Sequence, residues 1–287
     1  MTPTENRRGV IRRRRVLALG ALVLVGVASW LVIRHVTDSV DEHGARVVDL
    51  TIASQAVGER LPVSVVLPAG VAAEPRPLLV FLHGRSGDED SELHSQMFAA
   101  LADLGQRAPI VAFPYGGDHS YWHDRADGDW GRYVVEEVIP QVAERFHADS
   151  DRVAIGGISM GGFGAYDLAI QYPGRFCAVG GHSPALWQSA EETADGAFDD
   201  AEDFARNDVV AAAQDADGPL TTQPVWLDAG DEDPFRPGDE AFATALDSVG
   251  AQLAFRTWSG GHDGDYWDSH WDSYLGFYAQ SLRDCAD

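Results

Sequence analysis

The sequence Val153-Ala-Ile-Gly-Gly-Ile-Ser159-Met-Gly-Gly-Phe-Gly-Ala165 decides the fold. An apolar, β-rich run leads into a Gly-x-Ser-x-Gly turn, and a helix-like run starts directly after the serine. Such a tight turn from strand to helix strains the serine backbone, and glycines at positions 157 and 161 remove Cβ atoms that would clash. We predict that Ser159 is a nucleophile at the carboxyl end of a sheet. The alternative is a Gly-rich turn whose serine only caps the helix.

Apolar β-rich runs and helix-like runs alternate on both sides of this turn. The predicted strands are Val47–Ala53, Pro62–Leu67, Leu78–Leu82, Ile110–Phe113, Val153–Ile155, Cys177–Val179, Val225–Leu227 and Leu253–Trp258. The predicted helices are Ser91–Gln106, Arg132–Phe146, Met160–Tyr172, Asp239–Val249 and Tyr266–Leu282. This alternation indicates an α/β fold with a mostly parallel central sheet and helices on both faces. Residues 188–218 show weak periodicity and are predicted to form an insertion or lid over one end of the sheet.

The two last predicted strands each end in a polar turn. One turn carries four acidic residues: Asp228, Asp231, Glu232 and Asp233. The other is Gly260-Gly-His262. A serine hydroxyl needs a base to accept its proton, and a carboxylate fixes the tautomer of that base. The chain order Ser159, Asp233, His262 is the order of a catalytic triad on this type of sheet. Asp231 is the alternative acid, and Asp228 is predicted to end the strand.

A buried strand that ends in His83-Gly-Arg85 predicts the second half of an oxyanion hole. One donor is expected from the N–H of Met160, directly after the nucleophile, and the other from the N–H of Arg85. His83 is predicted to shape this loop. The residues predicted to line the substrate pocket are His83, Tyr121, Trp122 and His182.

Several motifs together resemble the esterase D group of α/β-hydrolases. They are Leu82-His-Gly84, Pro114-Tyr-Gly-Gly117, Trp130 to Pro140, Gly157-Ile-Ser-Met-Gly-Gly162, Tyr172-Pro173, Arg206-Asn-Asp208 and Gly260-Gly-His262 with Tyr266-Trp267, within roughly residues 60–280. That group contains S-formylglutathione hydrolases, feruloyl-type esterases and the secreted mycolyltransferases. The resemblance implies an α/β-hydrolase fold, and ester hydrolysis or acyl transfer by Ser159, Asp233 and His262. The transferases have an arginine that helps to hold the sugar where this chain has Ser86, which favours a plain esterase.

The first 33 residues differ in charge from the rest of the chain. They carry six arginines and one acid, whereas residues 34–287 carry 15 arginines and 44 acids. The whole chain has a net charge of −24 and no lysine. So acidic a body repels phosphate backbones, which argues against nucleic acid as a partner.

Four arginines at positions 12–15 precede 18 uncharged residues, 16–33. That run is just long enough to cross a hydrocarbon core of about 30 Å. The basic flank before it and the acidic flank after it predict a cytoplasmic N-terminus (1–15), a transmembrane signal-anchor (16–33), a linker (34–46) and an extracytoplasmic catalytic domain (47–287). The alternative is a cleaved signal peptide and a secreted domain, or a twin-arginine export signal.

No metal ion or other cofactor is expected. His119 and His123 with Asp118 and Asp124, and the acidic group around Asp265, lack a recognised ligand spacing. Cys177 and Cys285 either pair or remain separate thiols, since export permits a disulfide. We therefore predict an extracytoplasmic serine esterase that acts on a small-molecule or lipid ester. The alternatives are a mycolyltransferase-like enzyme that moves an acyl group to an envelope sugar or lipid, and a non-catalytic envelope-binding protein on a hydrolase fold.

Overall fold

An eight-stranded mixed sheet runs through the unit formed by residues 42–287. The computed structural model describes residues 40–70 and 75–285. Its strands are β1 (Arg46–Ala53), β2 (Arg60–Leu67), β3 (Arg76–Leu82), β4 (Ile110–Pro114), the two-residue strands β5 (Asp124–Arg125) and β6 (Gly128–Asp129), β7 (Ala148–Ile158), β8 (Ala178–His182), β9 (Val225–Gly230) and β10 (Leu253–Trp258). The order in the sheet is β1-β2-β4-β3-β7-β8-β9-β10, and β5 pairs only with β6. The first two pairings are antiparallel and all later ones are parallel.

Helices cover both faces of this sheet. They are α1 (Ser95–Asp103), α2 (Trp130–Arg132), which continues through a π-helical turn (Tyr133–Val138) into α3 (Ile139–Phe146), α4 (Met160–Gln171), α5 (Ala201–Arg206), α6 (Val209–Ala212), α7 (Arg236–Ser248), α8 (Gly264–Asp268) and α9 (Trp271–Asp284). Within β3, Leu78 and Val80 join one apolar core while Leu79 and Phe81 join the other. Successive strand residues point to opposite faces, so a continuous apolar run fills both cores. The predicted α/β architecture is therefore confirmed.

The predicted strands are all present, but the predicted last helix is interrupted. It divides at Ser269 and His270 into α8 and α9. The Asp263 side chain accepts a hydrogen bond from the N–H of Tyr266 at 3.1 Å and starts the short first helix. This side-chain cap ties the start of α8 to the turn that carries His262.

The segment 188–218 packs against the loop that carries His123 and Arg125. The Arg125 guanidinium donates to the Asp199 carboxylate at 2.8 Å. His123 Nε2 lies 3.0 Å from Asp203 Oδ2, and both side chains are fully buried. Buried ionic and polar contacts thus hold the segment, which the sequence predicted as an insertion.

Cys177 and Cys285 form a disulfide between the start of β8 and the end of α9, with 5.6 Å between their Cα atoms. The sequence had left this pairing open. The bond closes a span of 108 residues that contains two of the three predicted triad residues, Asp233 and His262, and so it restricts the unfolded chain.

No helix within residues 40–70 and 75–285 is long and apolar enough to span a bilayer. The predicted signal-anchor, residues 16–33, lies outside the described residues, as do the predicted cytoplasmic segment and residues 34–39 of the predicted linker. The membrane attachment and the domain boundaries remain predictions.

Candidate active site

Ser159 stands at the sharp turn between β7 and α4. Its backbone has φ 55° and ψ −114°, which is a strained conformation for a residue with a side chain. A Cβ at Gly157 would lie 2.5 Å from the backbone of Gly161, and a Cβ at Gly161 would lie 2.0 Å from the carbonyl oxygen of Leu82. Neither position can hold a side chain, as the sequence pattern predicted.

The three predicted triad residues form one hydrogen-bonded chain. Ser159 Oγ lies 2.8 Å from His262 Nε2, and His262 Nδ1 lies 2.9 Å from Asp233 Oδ2. A carboxylate only accepts hydrogen bonds, so Nδ1–H donates to Asp233 and Nε2 accepts from the serine hydroxyl. The groups meet because they follow β7, β9 and β10, whose parallel carboxyl ends lie at one edge of the sheet.

Asp233 is buried and oriented by two donors. Burial by itself would raise its pKa, but the hydrogen bond and charge of His262 and the N–H of Phe235, at 2.8 Å, lower the pKa below its usual value. Asp233 is therefore ionised at neutral pH and can stabilise a protonated imidazole. The alternative acid, Asp231, accepts instead from the N–H of Gly260 at 3.0 Å and joins the two turns.

The loop Gly84–Gly87 passes directly beside Ser159. A Cβ at Gly84 would lie 3.5 Å from the Cβ of Ser159, so the backbone approaches to van der Waals distance. The Gly87 N–H donates to the Gly84 carbonyl at 3.0 Å and fixes the turn. Arg85 lies within this turn, and Met160 is the first residue of α4, where an N–H has no helical acceptor. Both predicted oxyanion donors are therefore next to Ser159.

A cavity of about 490 Å³ opens at the triad, a size typical of small-molecule sites. It is lined by Gly84, Arg85, Ser86, Gly87, Ser91, Glu92, His94, Tyr121, Ile158, Ser159, Ala194, Phe235, His262, Gly264, Trp267 and Asp268. Of the four residues predicted to line it, Tyr121 does so. Glu92 and Trp267 were not predicted as site residues, because a single acid in a polar loop and an aromatic residue in a helix carry no distinctive signal.

His83 and Trp122 lie behind the loop Gly84–Gly87 and do not line the cavity, contrary to their prediction as substrate contacts. His83 accepts from the N–H of Gly116 at Nε2, at 2.9 Å, and donates from Nδ1 to the Gly84 carbonyl, at 2.7 Å. Trp122 is fully buried and donates from Nε1 to the carbonyl of His83 at 3.2 Å. Burial lowers the pKa of His83. These side chains support the loop from below.

His182 is also fully buried and does not line the pocket, contrary to the prediction. Its ring lies between Asp228 and Tyr278, with Nδ1 2.8 Å from Asp228 Oδ1 and Nε2 2.9 Å from the Tyr278 hydroxyl. Its backbone carbonyl accepts from the N–H of Ser159 at 3.1 Å. His182 therefore supports Ser159 from behind.

Asp228 is the centre of a buried polar network that sequence reasoning missed. Besides His182 it accepts from Trp226 Nε1 at 2.6 Å and from the hydroxyls of Tyr266 and Tyr274 at 2.9 and 3.0 Å. An acid inside an otherwise apolar strand was the signal available, since a buried charge requires partners. The donors come from β8, β9, α8 and α9, so the network joins the elements that carry the site.

Comparisons with known proteins agree with this geometry. The family model described as "Putative esterase" matches residues 54–280. Esterase Rv1288 of Mycobacterium tuberculosis is 24% identical over 251 residues, which cover 73% of this chain and 54% of that protein. The chain thus spans about half the length of the curated relatives it matches.

Solved structures share the fold. A ferulic acid esterase superposes with a TM-score of 0.72 at 23% identity, over 83% of this chain and 98% of that one. MPT51 of Mycobacterium tuberculosis superposes with a TM-score of 0.66 at 17% identity, over 83% and 99%. Together with the matched family model, which covers most of the chain, these findings show that the protein belongs to the esterase family of α/β-hydrolases.

Proposed function

We propose that this protein is an extracytoplasmic serine esterase that hydrolyses carboxylic esters through an acyl-enzyme on Ser159. The observation that carries the proposal is the hydrogen-bonded chain from Ser159 through His262 to Asp233, open to a cavity. A strained serine with a positioned base has no purpose in a non-catalytic binding protein. This observation therefore disfavours the alternative of an envelope-binding protein on a hydrolase fold.

In the proposed first step, Ser159 Oγ attacks the ester carbonyl carbon while His262 Nε2 takes the hydroxyl proton. Asp233 stabilises the imidazolium that forms. The carbonyl oxygen becomes negative and is held by the N–H groups of Met160 and Arg85, each contributing about 3 kcal/mol to transition-state stabilisation. His262 then returns the proton to the leaving alcohol, and the acyl group remains on Ser159. A water molecule, activated by the same imidazole, releases the acid and restores the serine.

Ser159→Ala tests the proposal on a panel of p-nitrophenyl esters. We expect kcat to fall by at least about 10³-fold, because removal of the nucleophile leaves only binding and the oxyanion donors. Labelling by a fluorophosphonate probe should disappear in parallel. Ser150→Ala, an exposed serine outside the pocket, is the matched control and should label and turn over normally. Unchanged turnover in Ser159→Ala would refute the mechanism.

Transfer to a sugar or lipid acceptor is the remaining catalytic alternative. Product analysis with added sugar acceptors decides between the two, since a transferase gives acylated sugar while an esterase gives the free acid. We expect the free acid, because Ser86 replaces the arginine that the resemblance associates with sugar binding.

The extracytoplasmic location is supported by the Cys177–Cys285 disulfide, because such bonds persist in oxidising compartments. It also rests on the predicted anchor, residues 16–33. Protease added to intact cells should degrade a C-terminally tagged protein, and N-terminal sequencing of the mature chain separates an anchor from a cleaved signal peptide. Complete protection in intact cells, with degradation after lysis, would overturn the location.

A further inference from the structure

The pocket contains a buried acid that no positive group neutralises. Glu92 is 8% exposed and lines the cavity. Its carboxyl makes no hydrogen bond or ion pair with the residues of 40–70 and 75–285. Burial and the negative charges of Asp268 and Asp88 raise the pKa of Glu92 to about 8. An unpaired buried acid destabilises the fold, and this one faces a space that a ligand can enter.

A second acid and an aromatic ring stand beside Glu92. Asp268 lines the same cavity, and its carboxyl likewise has no hydrogen bond or ion pair in the described part of the chain. Its neighbour Trp267 also lines the cavity and packs edge-on against His262, with 5.1 Å between ring centres. Asp88, in contrast, accepts from the Ser91 hydroxyl at 2.8 Å. Glu92 and Asp268 are therefore the two unmatched acids.

Arg85 is the cationic side chain of the pocket lining, and it is engaged elsewhere. Its guanidinium donates to the carbonyl of Asp195 at 3.1 Å. Burial raises the pKa of Tyr121, and the charge and hydrogen bond of Arg85 oppose that rise. Arg85 does not contribute to the pKa of Glu92. The pocket is thus polarised, with Arg85 and Tyr121 on one side and Glu92 on another.

A positively charged nitrogen is the group that fits this acidic side. A hydroxyl would accept or donate a hydrogen bond but would not offset the negative charges of Asp268 and Asp88 that act on Glu92. A metal ion would need more ligands, and no group of three or more His, Cys, Asp or Glu able to hold one occurs within the described residues. An ammonium group brings a positive charge that favours the ionised form of Glu92 and attracts the carboxylate of Asp268, and it is attracted to the face of an indole ring such as that of Trp267.

We propose that the pocket selects esters whose alcohol part carries a positively charged nitrogen, held by Glu92 and Asp268 beside Trp267. The inference rests on the proposed esterase function. It assigns the alcohol to this side because His262 must protonate the leaving oxygen, and Trp267 is in contact with His262. The strongly acidic body of the chain also attracts cationic substrates.

Two esters of equal shape test the proposal: butyrylcholine and 3,3-dimethylbutyl butyrate, which differ in the charge of one atom. We expect kcat/KM for the cationic ester to exceed that for the neutral ester by about tenfold or more. Glu92→Gln and Asp268→Asn should each reduce this ratio several-fold, mainly through KM. Glu144→Gln, an exposed acid outside the pocket, is the matched control and should keep the ratio.

Binding without turnover provides a separate measurement. Calorimetry of Ser159→Ala with benzyltrimethylammonium, in buffers of different ionisation enthalpy, reports affinity and proton release. A cation next to Glu92 lowers the pKa of its carboxyl, so binding at pH 7 should release a fraction of a proton. The ionisable groups that face Glu92 are Asp268 and Asp88, with His94, His262 and Arg85 elsewhere in the lining. Adding Glu92→Gln should abolish the release and weaken binding, which a purely structural role of Glu92 would not do.

The outcomes separate the two proposals. Ester turnover with no cationic preference, or a preference unchanged in both pocket variants, overturns the cation site and leaves the esterase intact. Cation binding that depends on Glu92, without turnover of any ester, overturns the esterase and keeps the site. The ammonium assignment would also be overturned if a neutral polyol inhibited butyrylcholine hydrolysis as strongly as benzyltrimethylammonium does. Binding of Ca²⁺ in place of benzyltrimethylammonium would overturn it as well.

Discussion

Asp228 and Glu92 are both buried acids near the triad, but their surroundings are opposite. Asp228 lies below the nucleophile and accepts hydrogen bonds from His182, Trp226, Tyr266 and Tyr274. Glu92 lines the pocket above and has no such donor. A fully bonded buried carboxylate contributes to one defined arrangement of its neighbours, whereas an unbonded one lowers the stability of the fold.

This contrast teaches that burial alone does not identify a functional acid. The deciding observation is whether the missing partner could arrive from solvent. Asp239 illustrates the point, because it is fully buried with both carboxyl oxygens unpartnered, yet it does not line the pocket. Burial, with the charges of Asp233 and Asp228, raises its pKa well above the usual value. Asp239 therefore stays protonated without a ligand-binding role.

Asp228→Asn should have the largest effect on stability. The amide replaces an acceptor by a donor that faces groups which already donate, so we expect a loss of about 3 to 5 kcal/mol in the free energy of unfolding. Urea denaturation followed by circular dichroism measures it. A loss below about 1 kcal/mol would show that the network is easily rearranged, and the contrast with Glu92 would fail.

Glu92→Gln should increase the free energy of unfolding, opposite to Asp228→Asn, and the size of the increase should depend on pH. Below about pH 4.5 the acid is protonated in both states and the substitution changes little. Between pH 4.5 and about 8 the unfolded chain loses the proton while the folded chain keeps it, so wild-type stability falls as pH rises. We expect the stability of Glu92→Gln relative to wild type to rise across this range by at most about 1.4 kcal/mol per pH unit. Equal stability at pH 5 and pH 8 would contradict an unpartnered acid.

Tyr266→Phe removes one of the donors to Asp228 and leaves the carboxylate with the others. We expect the free energy of unfolding to fall by about 1.5 kcal/mol, since a hydrogen bond to a charged group is stronger than the average hydrogen bond. Because Tyr266 also lies in the helix that follows His262, the loss of kcat should exceed the loss expected from stability alone. Thermal denaturation and p-nitrophenyl ester kinetics on the same sample separate the two effects.

Asp239→Asn should give the smallest change in stability, an increase of about 1 kcal/mol in the free energy of unfolding at neutral pH. The folded protein holds Asp239 protonated while the unfolded chain ionises it, so the acid lowers stability above its unfolded pKa. The neutral amide removes this dependence. Ester kinetics should stay unchanged, and a cation preference altered by this variant would break the distinction drawn between Asp239 and Glu92.

The hydrogen-bonded chain of Ser159, His262 and Asp233 could be predicted from local sequence. Each follows a strand, and glycine spacing marks the turns at Ser159 and His262. The choice of Asp233 over Asp231 was also correct in geometry, because the hydrogen bond to the imidazole comes from Asp233. The pocket wall was not predictable in the same way. Trp122 and His182 carry polar atoms, yet those atoms are directed into the interior, where they hydrogen-bond to buried groups.

The sequence by itself determined the strand–turn–helix unit around Ser159, the alternation that builds a two-faced sheet and the order of the triad. These follow from short-range sterics and periodicity, which a local pattern records. Only the tertiary structure decided that Cys177 meets Cys285, that Asp228 gains four donors and that Glu92 gains none. Hydrogen-bond satisfaction and burial depend on residues far apart in the chain, and no local pattern contains them.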